Sequence, residues 1–488
     1  MKAPIADPQY VVPSATAHRR FPAVALDAMV ATSQPLATQA ALGAMQKGGN
    51  AVDAAITAAA VLCVVEPMWT GLGGDCFAMI WQSGAAIGLA SAGPAPVRAN
   101  PVEPVEERGP RSVTVPGAVA GWEVLSNRYG KLGFDACLSD AIDLAERGFG
   151  VTPVVAWHWG HNERPLDLAK APRAGERVRM PELASTLRSI AQLGSSSFYE
   201  GPIARAIAGA CWLEEQDLAG FSPEWVMPMR IGYRNYQVLE MPPPTQGVAV
   251  LEGLGLLEGM EPGLPSRIDA VRLALDDARR HVREGADVNH LVDPGYLQRR
   301  RQETAKRASE PAGGTIYISV VDADRMAVSF IQSLYMPFGS RVMVPGTGIL
   351  LQNRGACFSI NGKVEPGRRP YHTILPALLL QNDRLCGAFG CVGGFIQAQA
   401  HVQIISNLID DGLDPQAALD HPRFMVEGDL VRLEQGLWHE AEELERRGYR
   451  PTKHPNRFTF GAGQMVLVTE EGLVGGSDSR KDGYAAGF

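Results

Sequence analysis

Excess positive charge, paired cysteines and long apolar runs are all missing from this 488-residue chain. Lys and Arg total 45 against 53 Asp and Glu, a net charge of −8, so no broad basic field attracts nucleic acid or an anionic membrane. The acidic residues are scattered, as on a solvated surface, rather than gathered into a tail. No stretch of about 18 charge-free apolar residues occurs, so no membrane span is expected. The most apolar run, Ala51 to Val65, is shorter and Ala-rich, and reads as a buried helix. Met1 to Tyr10 carry Asp, Pro and Gln and lack the apolar core of a secretory signal. The seven cysteines (63, 76, 137, 211, 357, 386 and 391) are odd in number, widely spaced and never Cys-x-x-Cys. A disulfide framework and a zinc site therefore find little support. The expectation is a cytoplasmic protein with reduced core thiols, without metal or cofactor.

Hydrophobic residues make up 45% of the chain, ample for a large core, and the length allows two or three domains. Residues 35–48 read as a helix closed by Gly48-Gly49. Asn50 caps a second helix with Asp53 near a capping-box position, and Glu66-Pro67 ends it. Thr70-Gly-Leu-Gly-Gly-Asp75 leads into an apolar strand, Cys76 to Trp81. Gly71-Leu-Gly-Gly74 lacks the Walker Lys and the Rossmann spacing, which sets phosphate binding aside. Residues 82–130 read as loops with short strands, and 151–235 as several helices with connecting structure from Asp217 to Trp225. Further helices are predicted from Cys137 to Arg147, over 248–257, from Ile268 to Val282, and over 395–412 and 439–447. Residues 296–314 turn polar and basic and read as an exposed segment. Its cations Arg299, Arg300, Arg301, Lys306 and Arg307 fit a solvated linker.

The character changes at Thr315. Thr315 to Val321 and Ala327 to Leu334 alternate and are β-branched, as in strands. A loop of Ala323-Asp324-Arg325, flanked by Asp322 and Met326, sets a register with Ser333 directly opposite Thr315. Later strands are predicted at 384–391, 430–434 and 464–469. A threonine at the start of a strand is ordinary, and pattern alone does not make it a nucleophile.

Several separated segments together resemble the gamma-glutamyltranspeptidase family. They are Gly48-Gly-Asn-Ala-Val-Asp-Ala-Ala55, Val65-Glu-Pro67, Gly71-Leu-Gly-Gly74, Val115-Pro-Gly-Ala118 with Gly121-Trp122, and Gly314-Thr315 through Ser319-Val-Val-Asp322. Phe338-Gly-Ser340, Pro345-Gly-Thr-Gly-Ile349, Arg369-Pro370, Gly393-Gly394 and Gly476-Ser-Asp478 follow in family order. The resemblance implies an α+β fold of the N-terminal nucleophile hydrolase type, a four-layer αββα sandwich. It implies an autocleaved precursor, with a large subunit 1–314 and a small subunit 315–488, cut between Gly314 and Thr315. The two subunits form one intertwined catalytic unit, and a dimer of such heterodimers is compatible with the family.

The residues make chemical sense of this. A threonine hydroxyl needs a nearby base. A freed α-amine has a reference pKa of about 7.7–8.0 and can serve. Gly314 has no Cβ, so the hydroxyl can reach the preceding carbonyl for an N-to-O acyl shift. By resemblance, Thr315 is the nucleophile, the N–H groups of Gly393 and Gly394 form the oxyanion hole, and Ser333 replaces a second Thr that orients the nucleophile.

The chain departs from the transpeptidases where they read a γ-glutamyl group. Ala90-Ser-Ala-Gly-Pro-Ala-Pro96 carries no Arg for the α-carboxylate. In a Gln-x-Asp-Asp-Phe-Ser stretch, the final Asp, which holds the α-amine, is Cys357 here, and the Gln is Arg354. His372 and Thr373 replace paired serines, and Tyr335 replaces an Asn. An ammonium group would be costly to bury there. Arg354, with His372 as a second cation and the Tyr335 phenol, suits a compact anionic acyl group. Oxamate is the named candidate. A glutaryl-type acylase, a gamma-glutamyl hydrolase or transpeptidase, and an unprocessed non-catalytic binding protein are the rival readings.

Overall fold

The computed structural model describes residues 20–168, 170–303 and 313–488. Two seven-stranded sheets face each other. One runs, in spatial order, through Ala23–Ala25, Leu473–Ser477, Ala462–Val468, Arg384–Val392, Ala377–Gln381, Tyr236–Glu240 and Met229–Tyr233. The other runs through Ala485–Gly487, Met29–Thr32, Gly314–Val321, Ala327–Tyr335, Asp75–Gln82, Ala85–Ser91 and Glu224–Val226. Alternation along the central strands explains the layering. Tyr317 and Val321 point between the sheets, where Phe77, Ile331, Leu378 and Val466 meet them. Ile316, Ile318 and Val320 point outward onto the helix Ala51–Val65. On the far side, Leu379, Phe389 and Met465 meet the helices Gly247–Leu257, Leu264–His281 and Ile396–Ile409. The result is the α+β, four-layer αββα sandwich expected of the family.

The helix Ala51–Val65 is buried along its whole length. Its Ala-rich surface lets the sheet and neighbouring helices approach on every side. Asn50 and Asp53 form the expected capping box. Among the described residues, no helix is long and apolar enough to cross a membrane. All seven cysteines are free thiols.

Three expectations change. Residues 82–130 contain a full strand, Ala85–Ser91, and a helix, Ala118–Tyr129. Gly121 argues against a helix on propensity, but a Cβ there would collide with Cys76 Sγ and Ser91, so close helix–sheet contact requires the glycine. The strands Ala377–Gln381 and Leu473–Ser477 each pair with a sequence-distant strand, Tyr236–Glu240 and Ala23–Ala25. The basic segment is not simply a solvated linker. Arg300 is buried at the end of the helix Pro294–Arg300, with Nε 2.7 Å from Asp277 and Nη2 3.0 Å from Asp276. Arg301 donates to the carbonyls of Leu256 and Gly255. Lys306 and Arg307 lie outside the described residues.

Candidate active site

Thr315 is buried near the start of its strand. The hairpin keeps the expected register from Val321 opposite Ala327 to Ile316 opposite Gln332. There it shifts by one, so that Gly314 lies opposite Tyr335 and both Ser333 and Leu334 face Thr315. This bulge sets the site geometry. Thr315 Oγ1 donates to Ser333 Oγ at 3.3 Å, and Ser333 Oγ donates to the Gly314 carbonyl at 2.6 Å. The Tyr335 N–H donates to Ser333 Oγ at 2.7 Å. One proton and two lone pairs of Ser333 are thereby all used. Gln397 Nε2 donates to Thr315 Oγ1 at 3.2 Å, while its Oε1 accepts from the Leu375 N–H at 3.0 Å, which fixes the amide orientation.

The Gly393-Gly394 loop lies against Gly313, one residue before the Gly314–Thr315 bond. The Gly313 N–H donates to the Gly393 carbonyl at 3.3 Å, and a Cβ on Gly313 would lie 2.9 Å from Gly394 Cα. Both loop glycines have positive φ, 121° and 75°. Gly314 packs on the face of Trp69, and a Cβ there would overlap the ring. On Trp69 in turn lies Lys481, its Nζ 4.3 Å from a ring centroid.

A second group gathers around Arg354, which is fully buried. Nη1 donates to Thr373 Oγ1 at 3.0 Å and lies 3.8 Å from Cys357 Sγ. The guanidinium stacks over Tyr335, 4.5 Å from the ring centroid. Asp75 Oδ2 lies 3.7 Å from Arg354 Nε and 3.4 Å from His372 Nε2. Arg354 Nε and Nη2 and Asp75 Oδ1 have no hydrogen-bond partner. Burial pushes the Tyr335 phenol and the Cys357 thiol up, so both stay protonated. Burial, then the Arg354 charge, hold His372 well below its usual range. His372 is therefore a neutral ring, not the second cation expected from the sequence.

Residues 37–488 match the family model for gamma-glutamyltranspeptidase. The chain belongs to the gamma-glutamyltranspeptidase family. It is 34% identical to the glutathione hydrolase-like YwrD proenzyme of Bacillus subtilis (strain 168), over 94% of this chain and 98% of that one. It is 31% identical to the oxamate amidohydrolase proenzyme of Klebsiella pneumoniae, over 95% and 99%. The crystal structure of a cephalosporin acylase from Bacillus halodurans superposes with a TM-score of 0.90 at 39% identity, covering 99% of each chain. The protein is an enzyme of the N-terminal nucleophile amidohydrolase group, and its relatives are made as proenzymes.

The gamma-glutamyltranspeptidase positions read from the sequence therefore converge on two adjoining groups. Thr315, Ser333 and Gly314 surround one peptide bond, with the Gly393-Gly394 loop against the Gly313 just before it, while Tyr335, Cys357, His372 and Thr373 surround one guanidinium. Tyr335 joins the two through its N–H to Ser333. Asp75, Gln397, Trp69 and Lys481 lie outside every role read from the sequence motifs. Asp75 carried a signal, because it is an acid opening an otherwise apolar strand. Gln397 carried none of its own, being one of three glutamines, with Gln399 and Gln403, in the helix Ile396–Ile409. Trp69 and Lys481 meet only across the fold.

Proposed function

We propose that the chain cuts itself between Gly314 and Thr315 and then hydrolyses the amide of a small anionic acyl substrate, with oxamate as the named candidate. The observation that carries this reading is a buried guanidinium with two open nitrogens, Nε and Nη2, beside the Thr315 hydroxyl network. A guanidinium can take a carboxylate in bidentate fashion. The oxamate-hydrolysing relative from Klebsiella supports the same substrate class.

In self-cleavage, Thr315 Oγ1 attacks the Gly314 carbonyl carbon as its proton passes to Ser333 Oγ. Ser333 in turn passes its own proton to the Gly314 oxygen to which it donates. The C–N bond breaks as that proton moves on to the Thr315 nitrogen, the carbonyl re-forms, and an ester to Oγ1 remains, which water hydrolyses. In turnover, the freed α-amine takes the Oγ1 proton, and Oγ1 attacks the substrate amide. The oxyanion sits at the Gly393 and Gly394 N–H groups. The amine or ammonia leaves with that proton, and water completes the cycle. A cytoplasmic location belongs to the same proposal and is supported by the free thiols.

A second reading, gamma-glutamyl hydrolysis, is favoured by Asp75, whose open Oδ1 offers an ammonium partner that sequence analysis did not count. A panel of oxamate, glutaryl amides and a γ-glutamyl anilide, with released amine or ammonia measured, separates the two. Turnover of the amides that lack an amine is expected. Strong γ-glutamyl turnover without them would refute the anionic reading.

Gly314→Ala should slow self-cleavage at least about tenfold, because the added methyl must displace the Trp69 ring at an overpacking cost of about 1–3 kcal/mol. Fragment appearance on denaturing gels measures it, and Trp69→Leu in the same chain should restore much of the rate. Unchanged kinetics in Gly314→Ala would remove Trp69 from the account.

A further inference from the structure

Asp75 opens the strand Asp75–Gln82 and is wholly buried. Its partner across the sheet is Ser333, the hydroxyl that touches both Thr315 and Gly314. It therefore stands one strand from the reacting bond. At 3.7 Å, Arg354 Nε is beyond hydrogen-bond reach, and His372 at 3.4 Å is a weak partner. A purely structural Arg–carboxylate pair closes into short, often bidentate hydrogen bonds. This pair keeps Nε and Nη2 open on one side and Oδ1 open on the other. Native interiors leave few buried polar atoms unsatisfied, and such groups call for an explanation.

We propose that Asp75 sets which acyl groups the pocket accepts: protonated, it leaves the Arg354 cation for a lone substrate carboxylate, and ionised, it neutralises that cation and turns the anion away. This rests on the reading above, in which the Arg354 pocket holds the acyl end of the substrate. Burial drives the Asp75 carboxyl up to about 7, against the pull of Arg354 and of the nearby Gly117 N–H, which is itself bonded to the Gly74 carbonyl. The other groups facing it do not change charge near neutrality. Burial pushes up the thiols of Cys76 and Cys357 and the phenols of Tyr199 and Tyr335. His372 is kept neutral by burial and by Arg354. Below about 7 the Arg354–Asp75 pair thus carries one positive charge, and above it none. The Thr315 α-amine also titrates, at a reference value of about 7.7–8.0, but it is common to wild type and variant.

The test is calorimetric titration of cut wild-type, Asp75→Asn and Asp75→Ser protein with glutarate and with L-glutamate at about pH 6, 7 and 8. Wild-type affinity for glutarate should fall about tenfold across that range, as the Asp75 proton is lost. Both variants should hold the low-pH affinity throughout. Flat wild-type binding, or variants no tighter than wild type at the highest pH, overturns the proposal. So does a failure of glutarate to bind at any pH. L-glutamate that binds tighter than glutarate at high pH, and is lost in both variants, makes Asp75 an ammonium ligand and overturns it too. The amide panel keeps the two readings apart. Glutarate binding with the pH slope, but no turnover of amides lacking an amine, removes the substrate reading alone. Turnover of those amides without the slope removes the Asp75 role alone.

Discussion

Thr315→Ala protein is expected to remain one 488-residue chain and to lose at least about a thousandfold in amide turnover. The loss is large because, in the proposed mechanism, one atom serves both reactions. Thr315 Oγ1 is the hydroxyl placed between Ser333 and Gln397, next to the Gly314 carbonyl. Without it, neither the acyl shift nor an acyl-enzyme can form, and without scission no α-amine appears at 315 to act as base. The fold should survive. Removing a hydroxyl and a methyl from one strand residue leaves the hairpin ladder intact, and circular dichroism should match wild type. Thr315→Ser keeps the hydroxyl and should still be cut into fragments of 314 and 174 residues (488 − 314). Intact-mass spectrometry reads every outcome. An alanine variant that matures normally means the nucleophile lies elsewhere.

Arg354→Met should raise KM for carboxylate-bearing amides at least about 30-fold, with self-cleavage unchanged. Truncating one side of a buried charge pair costs about 2–5 kcal/mol. Methionine keeps a flexible apolar stem against Tyr335 while removing the cation. Asp75 would lose its positive neighbour, but its carboxyl already sits up at about 7, so it takes a proton rather than remaining an unpaired charge. Self-cleavage provides the folding control, since Ser333, Gly314 and Gln397 make no contact through the guanidinium. Unchanged KM with carboxylate substrates would place the acyl group away from Arg354.

Much of this site was legible in the chain because the chemistry is local. Gly314 and Thr315 are neighbours, and the hairpin that brings Ser333 opposite is set by a short loop after Val321. The bulge at Ser333-Leu334 was not legible. It depends on Gly314 pairing with Tyr335 while Asp75 pairs with Ser333 on the other side, a three-strand condition. Arg354, Cys357, His372 and Thr373 were named together by family position. That they enclose one guanidinium, and that His372 is neutral, follow from burial by both sheets. Asp75 and Gln397 escaped because an acid at the start of a strand and one of three glutamines in a helix gain meaning only from what they face.

By itself, the sequence determined the strand and helix periods of the main elements, the capping of Ala51–Val65, and the placement of a hydroxyl directly after a glycine that can bend toward it. Those features depend on neighbouring residues and on torsions, which local chemistry dictates. The tertiary structure alone decided the bulge, the Trp69 face under Gly314, the buried Arg354–Asp75 pair and the charge states around it. Each of these requires groups far apart in the chain to be brought together and stripped of water, and desolvation is a property of the assembled core.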